Sequence, residues 1–174
     1  MRVFDEKIKT HLKNYVFQCL LAALTLLAVL IFLNVLTETA IIAALGASAF
    51  IVFTMPNMYS SDPRRLIGGY IIGIIVGVVF YFISTSNYVE LLFLNGDTSL
   101  IVFGALAVGI SILLMTITNT EHAPAAGIAL GLVINQWTLV TIAFIFCAML
   151  WMAGVRKLLK PYLIDLTSPN DKIL

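Results

Sequence analysis

Charge is what this chain has least of. Ten basic and nine acidic residues among 174 amount to 11 %, against about 25 % in an average soluble domain. Hydrophobic types make up 61 %, and the mean hydropathy is +1.05. A chain of this size has too little interior to hide so much apolar surface, because folded surface grows nearly as fast as mass. A soluble globular domain is excluded, and a disordered or fibrous chain with it. The two cysteines, Cys19 and Cys147, both lie inside long apolar runs, which excludes a disulfide scaffold. A net charge of +1 leaves no footprint for nucleic acid. There is no nucleophile–base–acid set, and Gly68-Gly69 lacks the Lys-Ser/Thr of a phosphate loop. Enzyme chemistry is not expected. His11, in the charged N-terminal stretch, and His122 are the two histidines; they make no metal site, and no cofactor is expected. What remains is an integral membrane protein.

The few charges divide the chain into lengths that fit a bilayer. Residues 14–37, 39–61, 66–89, 98–120 and 123–155 carry none. A spanning helix needs about 20 mostly apolar residues, so 15–36, 66–86 and 99–118 each predict one span. Residues 39–55 form a shorter apolar piece stopped by Pro56 and the polar stretch 57–62. The last run breaks near 131–136 into a short piece, 123–135, and a full one, 136–155. Basic residues precede the first run, as in a signal peptide. Its apolar stretch exceeds the roughly 7–15 residues of a secretory core and further spans follow, so it reads as a retained helix.

If all six segments cross and the N-terminus is cytoplasmic, Arg2, Lys7, Lys9, Lys13, Arg64, Arg65, Arg156, Lys157 and Lys160 share the cytoplasmic side. The outer connections then hold Glu38, Glu90 and Asp97. At an offset of 83 residues, Thr37-Glu38-Thr39-Ala40 falls on Thr120-Glu121-His122-Ala123, identical at three of four positions. Each half then reads as a full span, a Thr-Glu element, a short Ala/Gly-rich segment and another full span. Three crossings per half would invert one half relative to the other, and paired short segments in inverted halves point to a transporter's site. The predicted fold is an all-α polytopic transmembrane bundle of two inverted three-segment repeats with short or broken middle segments. Residues 1–14 form a cytoplasmic tail, 15–160 the membrane domain with halves near 15–86 and 98–155, and 161–174 a second cytoplasmic tail.

Both short segments begin with groups suited to helix N-termini. Thr37 or Thr39 is placed to cap the first and Thr120 the second, with Pro124 in the first turn, where its missing N–H is no loss. Small residues follow in each, Gly46 and Ser48 among those of the first, Gly127 among those of the second. Free amides and partial positive charge at such ends attract small anions, so the two starts are expected to face a shared, wetted pocket. The same small residues also suit plain close packing of membrane helices, and both readings stand. Glu38, Glu121 and His122 are the ionisable groups beside these segments. Buried in a bilayer they would be functional, and in a loop merely solvated; His122 also has the titration range for gating or proton coupling. Arg64 and Arg65 read as anchors, with an inner anion vestibule as the alternative. Gly69, Gly73 and Gly77 line one helix face with Gly68 beside them, a packing signal.

The strings Ala44-Leu45-Gly46-Ala47-Ser48-Ala49, Thr54-Met55-Pro56-Asn57 and Asp62-Pro63-Arg64-Arg65-Leu66-Ile67-Gly68-Gly69-Tyr70 resemble the core of the HPP family, over roughly residues 12–160. That family is named for a His-Pro-Pro motif; here the position reads His122-Ala123-Pro124, with Ala123 in place of the first proline. The resemblance implies a small membrane domain, described with four spans where the residues count six segments. Plastid members are described as nitrite transporters, so it implies a transporter or channel for a small inorganic anion, nitrite leading. A non-transporting module, a sensor or assembly partner, is the alternative. The expected setting is the cell membrane, with lipid and the anion as partners and no nucleic acid. One subunit gives a thin wall for a pore, hence an expected homo-oligomer.

Overall fold

A computed structural model describes residues 7–33, 39–89 and 96–166. The chain is an all-α polytopic bundle, with no strand among the described residues. Its main helices are α1 (Lys7–Leu33), α2 (Thr39–Thr54), α3 (Pro63–Ser84), α4 (Gly96–Ile117), α5 (Ala123–Ile134) and α6 (Leu139–Leu159). Single 3₁₀ turns occupy Tyr59–Ser61 and Lys160–Tyr162. Pro63 opens α3 at a position where proline has no donor to lose, and Asp62 caps it by accepting from the Arg64 N–H. Thr138 and Thr141 form a reciprocal capping box at the start of α6.

Four stretches are long and apolar enough to cross a membrane: His11–Ala28, Pro63–Ser84, Asp97–Ile117 and Leu139–Tyr162. α2, at 16 residues, and α5, at 12, are shorter. The four-span description and the count of six segments therefore concern the same object. α5 is apolar all round and wrapped by protein, whereas α2 keeps one exposed face with Ala43, Ala47 and Phe50. Eight of the twelve residues of α5 are buried, whereas Leu24, Ile75, Phe82, Ile101 and Ile117 on the long helices are more than half exposed, as lipid-facing side chains would be.

Glycines set the packing. α5 lies along the stripe on α3: a Cβ on Gly69 would stand 2.9 Å from the His122 Cβ, one on Gly73 would collide with the Ala125 carbonyl, and one on Gly77 would stand 2.9 Å from the Leu132 Cβ. The stripe thus serves contact within the chain. α2 runs antiparallel to α5 on another side, with Gly127 against Ala44 and Gly131 against Ile41. The helices alternate in direction. One end of the bundle gathers the end of α2, the connector 55–62, the start of α3 and the start of α5. Residues 163–166 also cross there, strapped down by Leu166 N–H to the Thr54 carbonyl (2.8 Å) and Tyr15 Oη–H to the Leu166 carbonyl (2.7 Å). Buried Gln18 donates to the carbonyls of Phe53 (2.6 Å) and Ile164 (2.8 Å). At the other end, Ser99 Oγ–H donates to the Ser84 carbonyl, and Trp137 packs on Tyr81 with centroids 5.2 Å apart.

This arrangement corrects one expectation. The starts of α2 and α5 lie at opposite ends of an antiparallel, closely packed pair, so they do not face a shared pocket.

Candidate functional site

The turn from α4 into α5 builds the site. Asn119 takes a left-handed conformation (φ 56°), the Asn119 N–H donates to the Thr116 carbonyl and the Thr120 N–H to the Met115 carbonyl (2.9 Å). This is the pairing that closes a helix with a left-handed residue, a position asparagine tolerates. The turn delays the next helix. His122, in extended backbone (φ −138°), is the N-cap of α5, and its side chain caps nothing. Thr120, expected as the cap, instead pairs its hydroxyl with that of Thr118 at 2.7 Å. Freed from capping, the imidazole turns into the bundle.

There it meets groups from three other segments. His122 Nε2 lies 2.9 Å from Ser48 Oγ on α2, Ser48 Oγ lies 2.7 Å from Tyr70 Oη on α3, and His122 Nδ1 lies 2.9 Å from the Ser60 carbonyl of the connector. Ser48, Tyr70 and His122 are all 0 % exposed, and the Tyr70 and His122 rings are 5.7 Å apart. A carbonyl oxygen can only accept, so Nδ1 carries the proton of the neutral ring. Nε2 is then an acceptor, Ser48 Oγ–H donates to it, and Tyr70 Oη–H donates to Ser48. The hydrogen bonds run one way through four segments. Burial pushes the His122 imidazole below the usual histidine value, with the Ser60 carbonyl opposing.

A second cluster sits at the mouth of the first. Arg65 forms an ion pair with Glu121, donates from Nη2 to Asn119 Oδ1 at 2.6 Å, and stacks its guanidinium 3.2 Å from the Tyr59 ring centroid. The Glu121 carboxyl is held below the usual carboxylate range, first by its own backbone N–H, then by Tyr59 and Arg65. From α6, buried Arg156 donates through Nη2 to the Pro56 carbonyl (2.6 Å) and, at 3.4 Å, to Ser61 Oγ. The connector is thus gripped by α3, α5 and α6 together.

The nominated residues separate accordingly. Ser48 and His122 meet, Glu121 lies beside them, and Pro124 is buried in the first turn of α5. Gly127 packs on Ala44; Gly46 turns toward Leu26 of α1, 3.9 Å from a Cβ placed there, away from His122. Arg64 is exposed, with its backbone N–H on Asp62 Oδ1. Arg65 spends its guanidinium on Glu121, Asn119 and Tyr59. Glu38 lies outside the described residues. Tyr70, Ser60 and Arg156 were not nominated. Tyr70 carries a hydroxyl that needs a partner once buried, but Tyr81 on the same helix offers the same signal; Arg156 looks like any basic residue ending a span. The cavity of about 470 Å³ lies elsewhere, an apolar groove between α1 and α6 lined by Ala28, Val140, Ala143, Phe144, Cys147 and Trp151.

The HPP transmembrane region matches residues 7–160. The chain belongs to the HPP family. A transmembrane protein of Dictyostelium discoideum is 37 % identical to it over 90 residues, covering 52 % of this chain and 28 % of that protein's length. The matched part is thus little more than a quarter of the relative. No solved structure matches the chain. In this HPP protein the change at Ala123 falls on the first residue of α5, which is exposed. Proline and alanine both suit a first helical position, so His122 keeps its setting in the bundle without the family's first proline.

Proposed function

We propose that this HPP protein transports a small inorganic anion across the cell membrane, with nitrite the leading candidate, and that it works as a carrier. The observation that supports this reading is the buried His122–Ser48–Tyr70 chain beside the start of α5. Polar, titratable groups inside a membrane bundle are costly to keep and mark transport paths or proton relays. Ser48, Tyr70 and His122 are fully buried, so passage by way of this site requires helices to move, which is carrier behaviour. The choice of nitrite comes from the family resemblance. The antiparallel α2/α5 pair supports inverted halves: its Gly127–Ala44 contact joins residues separated by 127 − 44 = 83 positions, the offset of the sequence repeat, as a contact lying on the pseudo-two-fold axis must be. The end carrying Arg64, Arg65 and Arg156 is assigned to the cytoplasm by the positive-inside rule, with the chain assembled as a homo-oligomer.

Purified protein in liposomes tests this. Nitrite uptake is expected, cut about tenfold or more by His122→Gln or Ser48→Ala, in keeping with loss of an interaction of about 1.4 kcal/mol. Absence of flux for nitrite, nitrate, chloride and formate, with and without a pH gradient, would overturn it. A second reading, a non-transporting sensor or assembly module, is favoured by the dry packing of α2 on α5. One stoichiometric membrane partner together with null flux would establish it.

A further inference from the structure

We propose that His122 is a proton-operated switch that reverses the direction of the hydrogen-bond chain tying α2, α3 and α5 together, with Tyr70 as its positioning residue. As the regulation of the site, this rests on the transport reading; the switch itself is a property of the four groups. In the neutral ring Nδ1–H is committed to the Ser60 carbonyl at 2.9 Å, so an added proton has one place to go, Nε2. Nε2–H must then donate to Ser48 Oγ, 2.9 Å away. Ser48 has one hydroxyl proton, which has to leave Nε2, and the switch turns it toward Tyr70 Oη, the side-chain oxygen 2.7 Å away. Tyr70 then becomes the acceptor, and its own proton turns away from Ser48, the partner it has among the described residues. No covalent bond other than the new Nε2–H forms, and no proton is lost.

The consequence is mechanical. Tyr70 is fully buried, so a hydroxyl proton turned out of the chain is unsatisfied unless α3 shifts against α2 and α5. Protonation therefore works against the packing at the very place where α5 meets the glycine stripe. Among the charged groups around His122, buried Arg156 holds the Pro56 carbonyl and Ser61 Oγ of the connector. Glu121 is paired with Arg65 and Asp62 caps α3. Tyr59 lies under Arg65, α2 carries no titratable side chain, and α4 carries only Asp97, at its far end. In transport, the imidazolium would supply the positive charge an anion needs and the loosened helices the opening.

The chain has two histidines, so a His11→Asn background with labelled histidine leaves one imidazole to follow by nitrogen NMR in lipid. The neutral ring is expected as the Nδ1–H tautomer. Tyr70→Phe removes the donor that holds Ser48 pointed at Nε2, and is expected to ease protonation about threefold, moving the midpoint up by about half a pH unit. An Nε2–H tautomer, or an unmoved midpoint in folded Tyr70→Phe, overturns the proposal; the tautomer is read without a variant, so misfolding of Tyr70→Phe does not remove the test. Absent flux with the expected tautomer and shift would sink transport and keep the switch, whereas flux with an unmoved midpoint would do the reverse.

Discussion

His122 illustrates how one side chain acquires a pH window. Its folded value is pushed below the ordinary 6.5 by burial, so between the two values the unfolded chain holds more protons than the folded one. Stability then rises with pH across that window and is flat above 6.5. Glu121 works in the same direction lower down, its contribution present above 4.5 and lost as pH falls further. Thermal unfolding in detergent is therefore expected to show a fall in midpoint as pH drops from about 7 to about 5, and His122→Gln is expected to flatten it. A parent midpoint indifferent to pH across this range would contradict the neutral, buried imidazole.

At the level of helices, the stripe on α3 is where tolerance is least. Gly73→Ala would drive a methyl into the Ala125 carbonyl, an immovable backbone group, and such overpacking costs about 1–3 kcal/mol. Gly109→Ala and Gly154→Ala meet nothing within 4 Å and should be neutral or gain up to about 1 kcal/mol from helix propensity. Melting temperatures of the three variants decide this; equal effects would contradict the α3/α5 contact. Much of this level is legible in the sequence. Charge-free runs and prolines place the helices, since a bilayer excludes charge and proline ends a helix, and the short lengths of α2 and α5 follow from the same marks. Which helix meets which does not follow, because Ala/Gly-rich faces are interchangeable in composition. The two-residue shift from Thr120 to His122 hid in the left-handed turn at Asn119, and Tyr70 hid among apolar neighbours.

For the whole molecule, six alternating helices leave Arg64 and Asn87 at opposite ends, both exposed. With Cys19 and Cys147 replaced by alanine, Arg64→Cys is expected to react with an impermeant thiol reagent from the cytoplasmic side and Asn87→Cys from outside. Labelling of both from one side would overturn the alternation. The length of α5 carries one more consequence. Twelve residues reach about 18 Å, against a hydrocarbon layer of about 30 Å, so α5 cannot settle in lipid by itself as each long helix can. During synthesis it emerges after α2, α3 and α4, whose surfaces form its socket, and before α6. Membrane insertion of this protein is therefore expected to deliver α5 into a socket of neighbouring helices and not into open lipid.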